Sequence, residues 1–362
     1  MAKWPGFEHG IGIGGWLTNY KRFNVLPNEW RKPLTIGDLE HFRTYITEAD
    51  VAYIASLGLD HIRLGFDQIV LQDENGCFRE EIFALIDQFL DWCDRYGLHV
   101  VLNLHKAVGN YCDIDEPVSL LEDAGLQAGF IDFWLAFERR YVDRPSVAFE
   151  LLNEVRDVPP ELWNALAERT VAALRRENPT RPIIIGPTCW NSCHRLKELR
   201  LFDDPNVIYT FHMYEPHEFT HQRGVLCPAQ CFYNREMPYP GDIAIYRDFH
   251  QTASNWDNAY PELEVMDATF IQNAMAPAAQ FCAEHPDRIL WCGEFGTIRH
   301  ARLAYRENWM RDVIGFLKAH DIPWCSWNYL STPYDGNRFS LVDDDSRTIL
   351  SPTLAAILIG NG

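Results

Sequence analysis

The chain has 362 residues, with 32 Lys and Arg against 51 Asp and Glu. The resulting net charge of −19 excludes the basic footprint that nucleic acid or an anionic membrane surface requires. At 47% apolar residues the chain can build one large α/β barrel or two ordinary domains, and no run approaches the ~18 apolar residues of a membrane span.

Short apolar runs alternate with longer helical patterns along almost the whole length. Ile11–Leu17 reads as a Gly-rich first strand, Asp50–Leu57 as a helix and His61–Phe66 as the second strand. Glu80–Tyr96 repeats apolar residues at helical spacing (Ile82, Leu85, Ile86, Phe89, Leu90, Cys93) and stops at Gly97, a natural C-cap. Strand three is Leu98–His105, followed by an aromatic helix over Ala128–Tyr141. Strand four is Val147–Asn153, and Pro160–Glu177 is a helix with Pro in its first turn. Pro182–Gly186 is strand five with a short helix near Leu196, and Asn206–His212 is strand six. A helix over Thr269–His285 leads to strand seven, Arg288–Glu294. A helix over Arg302–His320 leads to strand eight, Ile322–Asn328, and Thr353–Ile359 is a closing helix.

Eight strands apolar on both faces, each followed by a helix, predict a closed parallel (β/α)8 barrel, the TIM barrel. A doubly wound open sheet is the rival. It would place a Gly-rich phosphate turn between strand one and a helix, whereas Gly10-x-Gly12-x-Gly14-Gly15 lies within the strand and Trp16-Leu17 follows. With no linker, repeat or low-complexity tract, residues 1–362 are expected to form a single domain. Its longest loop, about 213–268 after strand six, holds twelve Tyr, Phe, His and Trp residues and reads as a lid with some helix of its own.

The ten cysteines are too few for a dense disulfide framework, and several fall inside strands or helices. Cys189-x3-Cys193-His194 and Cys227-x3-Cys231 each lack a matching second pair for zinc. With an opening Met-Ala-Lys-Trp-Pro-Gly free of an apolar leader, the expectation is a reduced, cytoplasmic protein, with homo-oligomerisation permitted by its Trp-rich composition.

The strand ends carry the chemistry: Arg63 in strand two, His105 in three, Asn153 and Glu154 in four, His212 and Tyr214 in six, Glu294 in seven and Trp327 in eight. In a barrel all of them converge on one rim. Any one could be an ordinary buried polar group, and Glu150, deeper in strand four, is assigned to a buried hydrogen-bond network. Together they make a site. Carboxylates on strands four and seven face each other across the barrel mouth, as double displacement at a glycosidic carbon requires. Arg63 beside Glu294 would keep it ionised, and the charge of Glu294 would hold a proton on Glu154. Tyr214 shares a face with His212 and can donate to a nucleophile oxygen. Asn153 can meet a sugar 2-hydroxyl, and Trp327 can floor the ring.

This set resembles glycoside hydrolase family 5, over nearly the whole chain from Gly15-Trp16-Leu17 to Trp327, with Arg63, His105, Asn153, Glu154, His212, Tyr214, Glu294 and Trp327 matching its pattern. The resemblance implies a retaining β-glycosidase with Glu154 as acid/base, Glu294 as nucleophile, and no metal or other cofactor. One departure is Val155, where the family often has Pro. The substrate implied is a neutral, short β-1,4-linked oligosaccharide. The chain is similar to cytoplasmic members that cut β-mannosyl linkages, including mannose linked to N-acetylglucosamine, which makes a β-mannosidase the first expectation and an endo-β-1,4-glucanase or β-glucosidase the alternative. Trp190, Tyr233, Tyr239 and Trp256 are candidates to stack on neighbouring sugars, and Lys106 and Asn110 to bind hydroxyls. A non-catalytic sugar-binding barrel would have no reason to keep both Glu residues. A metal-dependent barrel hydrolase would need a His-x-His pair that Ile11–Gly15 lacks.

Overall fold

The computed structural model describes residues 2–18, 34–113, 117–254, 259–333 and 335–361. Eight parallel strands close a barrel in chain order: β1 (His9–Leu17), β2 (His61–Asp67), β3 (His99–Lys106), β4 (Val147–Glu150), β5 (Ile183–Ile185), β6 (Val207–Met213), β7 (Ile289–Phe295) and β8 (Trp324–Ser326). The strands are buried on both faces because helices cover the outside and the barrel fills its own inside. The helix Glu80–Tyr96 illustrates the outer layer. It turns Ile82, Phe83, Ile86, Phe89, Leu90 and Cys93 inward and ends at Gly97, whose φ of 71° is the left-handed conformation glycine takes without strain.

Inside the lower barrel, Val101, Ala148, Ile184, Ile208, Trp291 and Cys325 form a separate apolar cluster, sealed from below by Trp4 and Phe7. Trp4 stacks on Phe7 at 4.0 Å between ring centroids and meets Trp291 edge-on at 5.8 Å.

Several elements differ from the sequence expectation. β4 ends at Glu150 rather than Asn153. The chain beyond it stays tethered by Leu151 N to Ile184 O (3.1 Å) and Asn153 N to Leu104 O (2.9 Å). The single helix expected over Thr269–His285 is two, Ala268–Ala274 and Ala276–Glu284, with Pro277 opening the second. The helix expected from Ala128 starts at Ala124, where the Asp123 side chain caps the amides of Gly125 and Leu126. A further helix, Ile36–Thr44, opens with a Thr35/Asp38 capping box.

The segment after β6 holds helices His217–Thr220, Pro228–Tyr233 and Ile243–Ala253, and a two-residue antiparallel ribbon pairing Gly241–Asp242 with Val265–Met266. Much of its aromatic content serves its own packing. Buried Glu218 pairs with His250 and accepts from Tyr260 Oη at 2.6 Å, and Tyr246 Oη donates to Pro238 O at 2.7 Å. No described helix is long and apolar enough to cross a membrane.

Candidate active site

Arg63 organises the barrel mouth. Fully buried, it donates from Nε and Nη2 to both oxygens of Glu150 (2.6 and 2.9 Å), from Nη2 to Asn153 Oδ1 (2.7 Å) and from Nη1 to Glu294 Oε1. Glu150 thus anchors the guanidinium, and the other two bonds fix an amide and an acid at the rim. Tyr214 Oη donates to Glu294 Oε2 at 2.8 Å. Burial pushes the Tyr214 hydroxyl well above its usual range, so it remains a donor.

Glu154 follows the end of β4 with a φ of 45°, a left-handed conformation uncommon for a side-chain-bearing residue. This turn directs its carboxyl toward His212, whose Nδ1 lies 2.9 Å from Glu154 Oε1. Asn191 Nδ2 approaches His212 Nε2 at 3.2 Å. An amide donor on Nε2 leaves the hydrogen of a neutral imidazole on Nδ1, directed at Glu154. Burial holds His212 down at about 4, so the ring is neutral near pH 7.

One oxygen each from Glu154 and Glu294, with a nitrogen of His212, all lie within 4.8 Å of one another. The environments of the two acids differ. Burial raises Glu154 to about 7; the charges of Asp113 and Glu150 add to this, and Arg63 opposes it. Desolvation, rather than the expected charge of Glu294, is therefore the main cause. Glu294 is also raised by burial, but His212, Arg63 and the Tyr214 hydroxyl oppose the rise. With Arg63 and Tyr214 each donating to one of its oxygens, Glu294 is the better solvated anion of the two.

A cleft of about 590 Å³ opens over these acids. His105 and Trp327 form part of its wall, nearly parallel with centroids 5.4 Å apart. The Gly-rich strand β1 explains where the indole sits: a Cβ on Gly12 or Gly14 would come within 2.7 or 2.5 Å of the Trp327 ring. Trp190 lines the cleft, 41% exposed, with its Nε1 donating to Cys112 O at 2.8 Å. Asn153 lies just behind the wall, its Nδ2 near Cys112 Sγ at 3.8 Å.

The other sugar-contact candidates are placed elsewhere. Tyr233 does not line the cleft: it donates to Asp248 Oδ2 (2.7 Å) and packs on Phe249. Tyr239 is buried against Phe219 with its hydroxyl on Asp312 Oδ2 (2.8 Å). Lys106 reaches the cleft only through Asp113, with Nζ 2.7 Å from Oδ2. Asn110 is buried beneath the wall, where its backbone bridges to Ala107. Trp256 lies outside the described residues. Conversely, the cleft takes in Asp113, His217, His221, Asn337 and Phe339, from loops that no spacing rule brings together.

Among the described residues two side-chain sets could hold a metal ion, Glu154/His212/Glu294 and, at the opposite end of the barrel, Glu8/His9/Asp60. Cys189, Cys193, Cys227 and Cys231 belong to neither, and all ten cysteines are free thiols.

Residues 26–332 match the model of the family described as Cellulase (glycosyl hydrolase family 5). The chain is 35% identical to Endoglucanase C of Acetivibrio thermocellus over 334 residues, covering 91% of this chain and 93% of that one. It is 29% identical to Cellodextrinase A of Ruminococcus flavefaciens over 327 residues, 89% of this chain and 85% of that one. In fold it is similar to Thermotoga maritima Cel5A solved with mannotriose, at 22% identity and a TM-score of 0.72 over 97% of both chains. A closed parallel barrel, two carboxyl groups facing across its mouth and a family match spanning both place the chain in glycosyl hydrolase family 5, as a retaining glycoside hydrolase.

Proposed function

We propose that the protein is an endo-β-1,4-glucanase in which Glu294 is the nucleophile and Glu154 the acid/base. The observation that carries the retaining mechanism is the short span between the two acids, with oxygens within 4.8 Å; the hydrogen bonds of Arg63 and Tyr214 to Glu294 support its role as the nucleophile. The span suits a nucleophile at ~5 Å separation and leaves no room for the interposed water of an inverting pair. Glu294, held by Arg63 and Tyr214, attacks the anomeric carbon while Glu154 gives its proton to the departing glycosidic oxygen. Glu154, now ionised, then takes a proton from the water that displaces the sugar from Glu294. Trp327 floors the ring, and Asn153, buried behind the wall, holds its Oδ1 on the Arg63 that steadies Glu294.

Glucan specificity is supported by Endoglucanase C, to which the chain is 35% identical over nearly its full length. The β-mannosidase reading rests on the expected cytoplasmic location and the length of the β6 insertion and has less support, although the mannotriose complex of a structural neighbour keeps β-mannan in the assay. The test compares β-1,4-glucan, β-mannan and an activated aryl β-cellobioside. Glu154→Ala is expected to lose roughly 10²–10⁴-fold on the polysaccharide, and added azide is expected to restore turnover on the aryl glycoside as the β-glycosyl azide. Glu294→Ala with azide is expected to give the α-azide. Azide products of the opposite anomeric assignment would reverse the roles. Cleavage confined to mannosides would move the substrate to the β-mannosidase class.

A further inference from the structure

The sequence His217-Glu218-Phe219-Thr220-His221 sets two imidazoles four residues apart on a single helical turn, hence on one face. The rings stack at 3.8 Å between centroids, 10° from parallel, and both line the cleft. Their inner nitrogens are taken. Gln230 Nε2 approaches His217 Nδ1 at 3.3 Å, so that nitrogen accepts and the hydrogen of a neutral ring sits on Nε2. Thr220 spends its hydroxyl hydrogen on Tyr214 O, so its oxygen, 3.0 Å from His221 Nδ1, accepts the ring N–H and leaves Nε2 of His221 as a lone pair. The stacked pair therefore presents one donor and one acceptor side by side, and neither Nε2 has a partner among the described residues.

Two further features share this wall. Asn337 lines the cleft, with its Oδ1 buried on the Gly224 side, 2.9 Å from where a Cβ on that glycine would sit. Phe339, also lining it, packs on His221 (5.0 Å) and Tyr214 (5.8 Å), linking the pair to a residue bonded to Glu294. Among the described residues no carboxylate or thiol completes a metal-ligand set with the two histidines. A donor and an acceptor side by side match neighbouring hydroxyl groups of a sugar, each of which both gives and takes a hydrogen bond.

We propose that His217 and His221 form a hydroxyl-recognising subsite for a second pyranose, away from the ring that sits on Trp327, and that this subsite reads chain length. The proposal rests on the glycan-cleaving assignment but not on which glycan is cut. His221→Phe and His217→Phe keep a flat ring in the stack and remove the polar nitrogen. For each, kcat/KM is measured on a tetrasaccharide and on an aryl monoglycoside of the same sugar, for both gluco and manno series. The ratio of tetrasaccharide to aryl monoglycoside is expected to fall about tenfold, consistent with the loss of one or two hydrogen bonds in a desolvated cleft, with the change carried by KM. Equal losses on both substrates, or none on either, would overturn it. Calorimetric titration of cellotetraose and mannotetraose into Glu294→Gln, with and without His221→Phe, reads the subsite without turnover. Tetraose affinity weakened about tenfold by His221→Phe would support it even if glucan cleavage failed, and unchanged affinity for both would sink it.

Discussion

A carboxylic acid can protonate a leaving group only while it holds a proton, and Glu154, raised by burial to about 7, holds one up to neutral pH. A group raised in this way is competent below its pKa and is lost as an acid above it, so kcat/KM is expected to decline through an alkaline limb centred near 7. Asp113 contributes to that elevation; its Oδ2 pairs with Lys106 while its Oδ1 is buried without a hydrogen-bond partner. Replacing Asp113 by Asn removes a negative charge beside Glu154, which lowers the Glu154 pKa and moves the alkaline limb to lower pH. A pH profile of the variant that is superimposable on the wild type, or shifted upward, would refute this electrostatic role.

The elements that carry these residues are positioned by contacts remote from the reaction. Arg181, nearly fully buried, donates to both oxygens of Glu138 (2.8 and 3.1 Å) and to the carbonyls of Tyr141, Arg144 and Val147 (2.5, 2.6 and 2.7 Å). It thereby ties the C-terminal end of the helix Ala124–Tyr141 to the start of β4, the strand that leads to Asn153 and Glu154. Arg181→Met strands Glu138 as a buried anion and is expected to cost about 3–5 kcal/mol in chemical denaturation. Arg181→Met with Glu138→Leu is expected to recover most of it. In β1, Gly14→Ala would drive a methyl into the Trp327 ring, 2.5 Å from the nearest ring carbon. Overpacking of this kind costs about 1–3 kcal/mol, and because Trp327 lines the cleft the expected signature is a raised KM exceeding what the stability loss explains. An unchanged KM would show that the indole relaxes without cost.

At the scale of the molecule, the barrel is closed at one end by chemistry and at the other by packing. Trp4 and Phe7, ahead of the first strand, cover the apolar cluster around Trp291. Trp4→Ala is expected to destabilise by about 3–5 kcal/mol, seen as a lower Tm, with kcat per folded molecule retained because the plug sits opposite the rim. A loss of kcat without loss of Tm would show that the plug couples to the site. The acidic surface accords with a neutral ligand, and the buried cation Arg63 offsets one of the two negative charges it contacts directly.

The barrel was legible in the chain because alternation of buried strands and one-faced helices is a local pattern, and strand order in a parallel barrel follows chain order. Seven of the eight rim residues were legible for the same reason, since each lies near or just beyond a strand end; Arg63 lies near the start of β2 and reaches Glu294 through its long side chain. Long-range packing was not. Tyr233 and Tyr239 look like sugar platforms in a row of aromatics, but they are consumed by the insertion's own core, where burying rings next to Asp248 and Asp312 is worth more than exposing them. Asp113, Asn337 and Phe339 meet in one cleft only because loops after β3 and β8 fold toward each other. The sequence by itself determined the barrel, its apolar layers and the acids at its mouth, which depend on residue type and short-range spacing. Tertiary structure alone decided the protonation difference between Glu154 and Glu294 and the shape of the cleft, because desolvation and hydrogen-bond supply are set by neighbours distant in the chain.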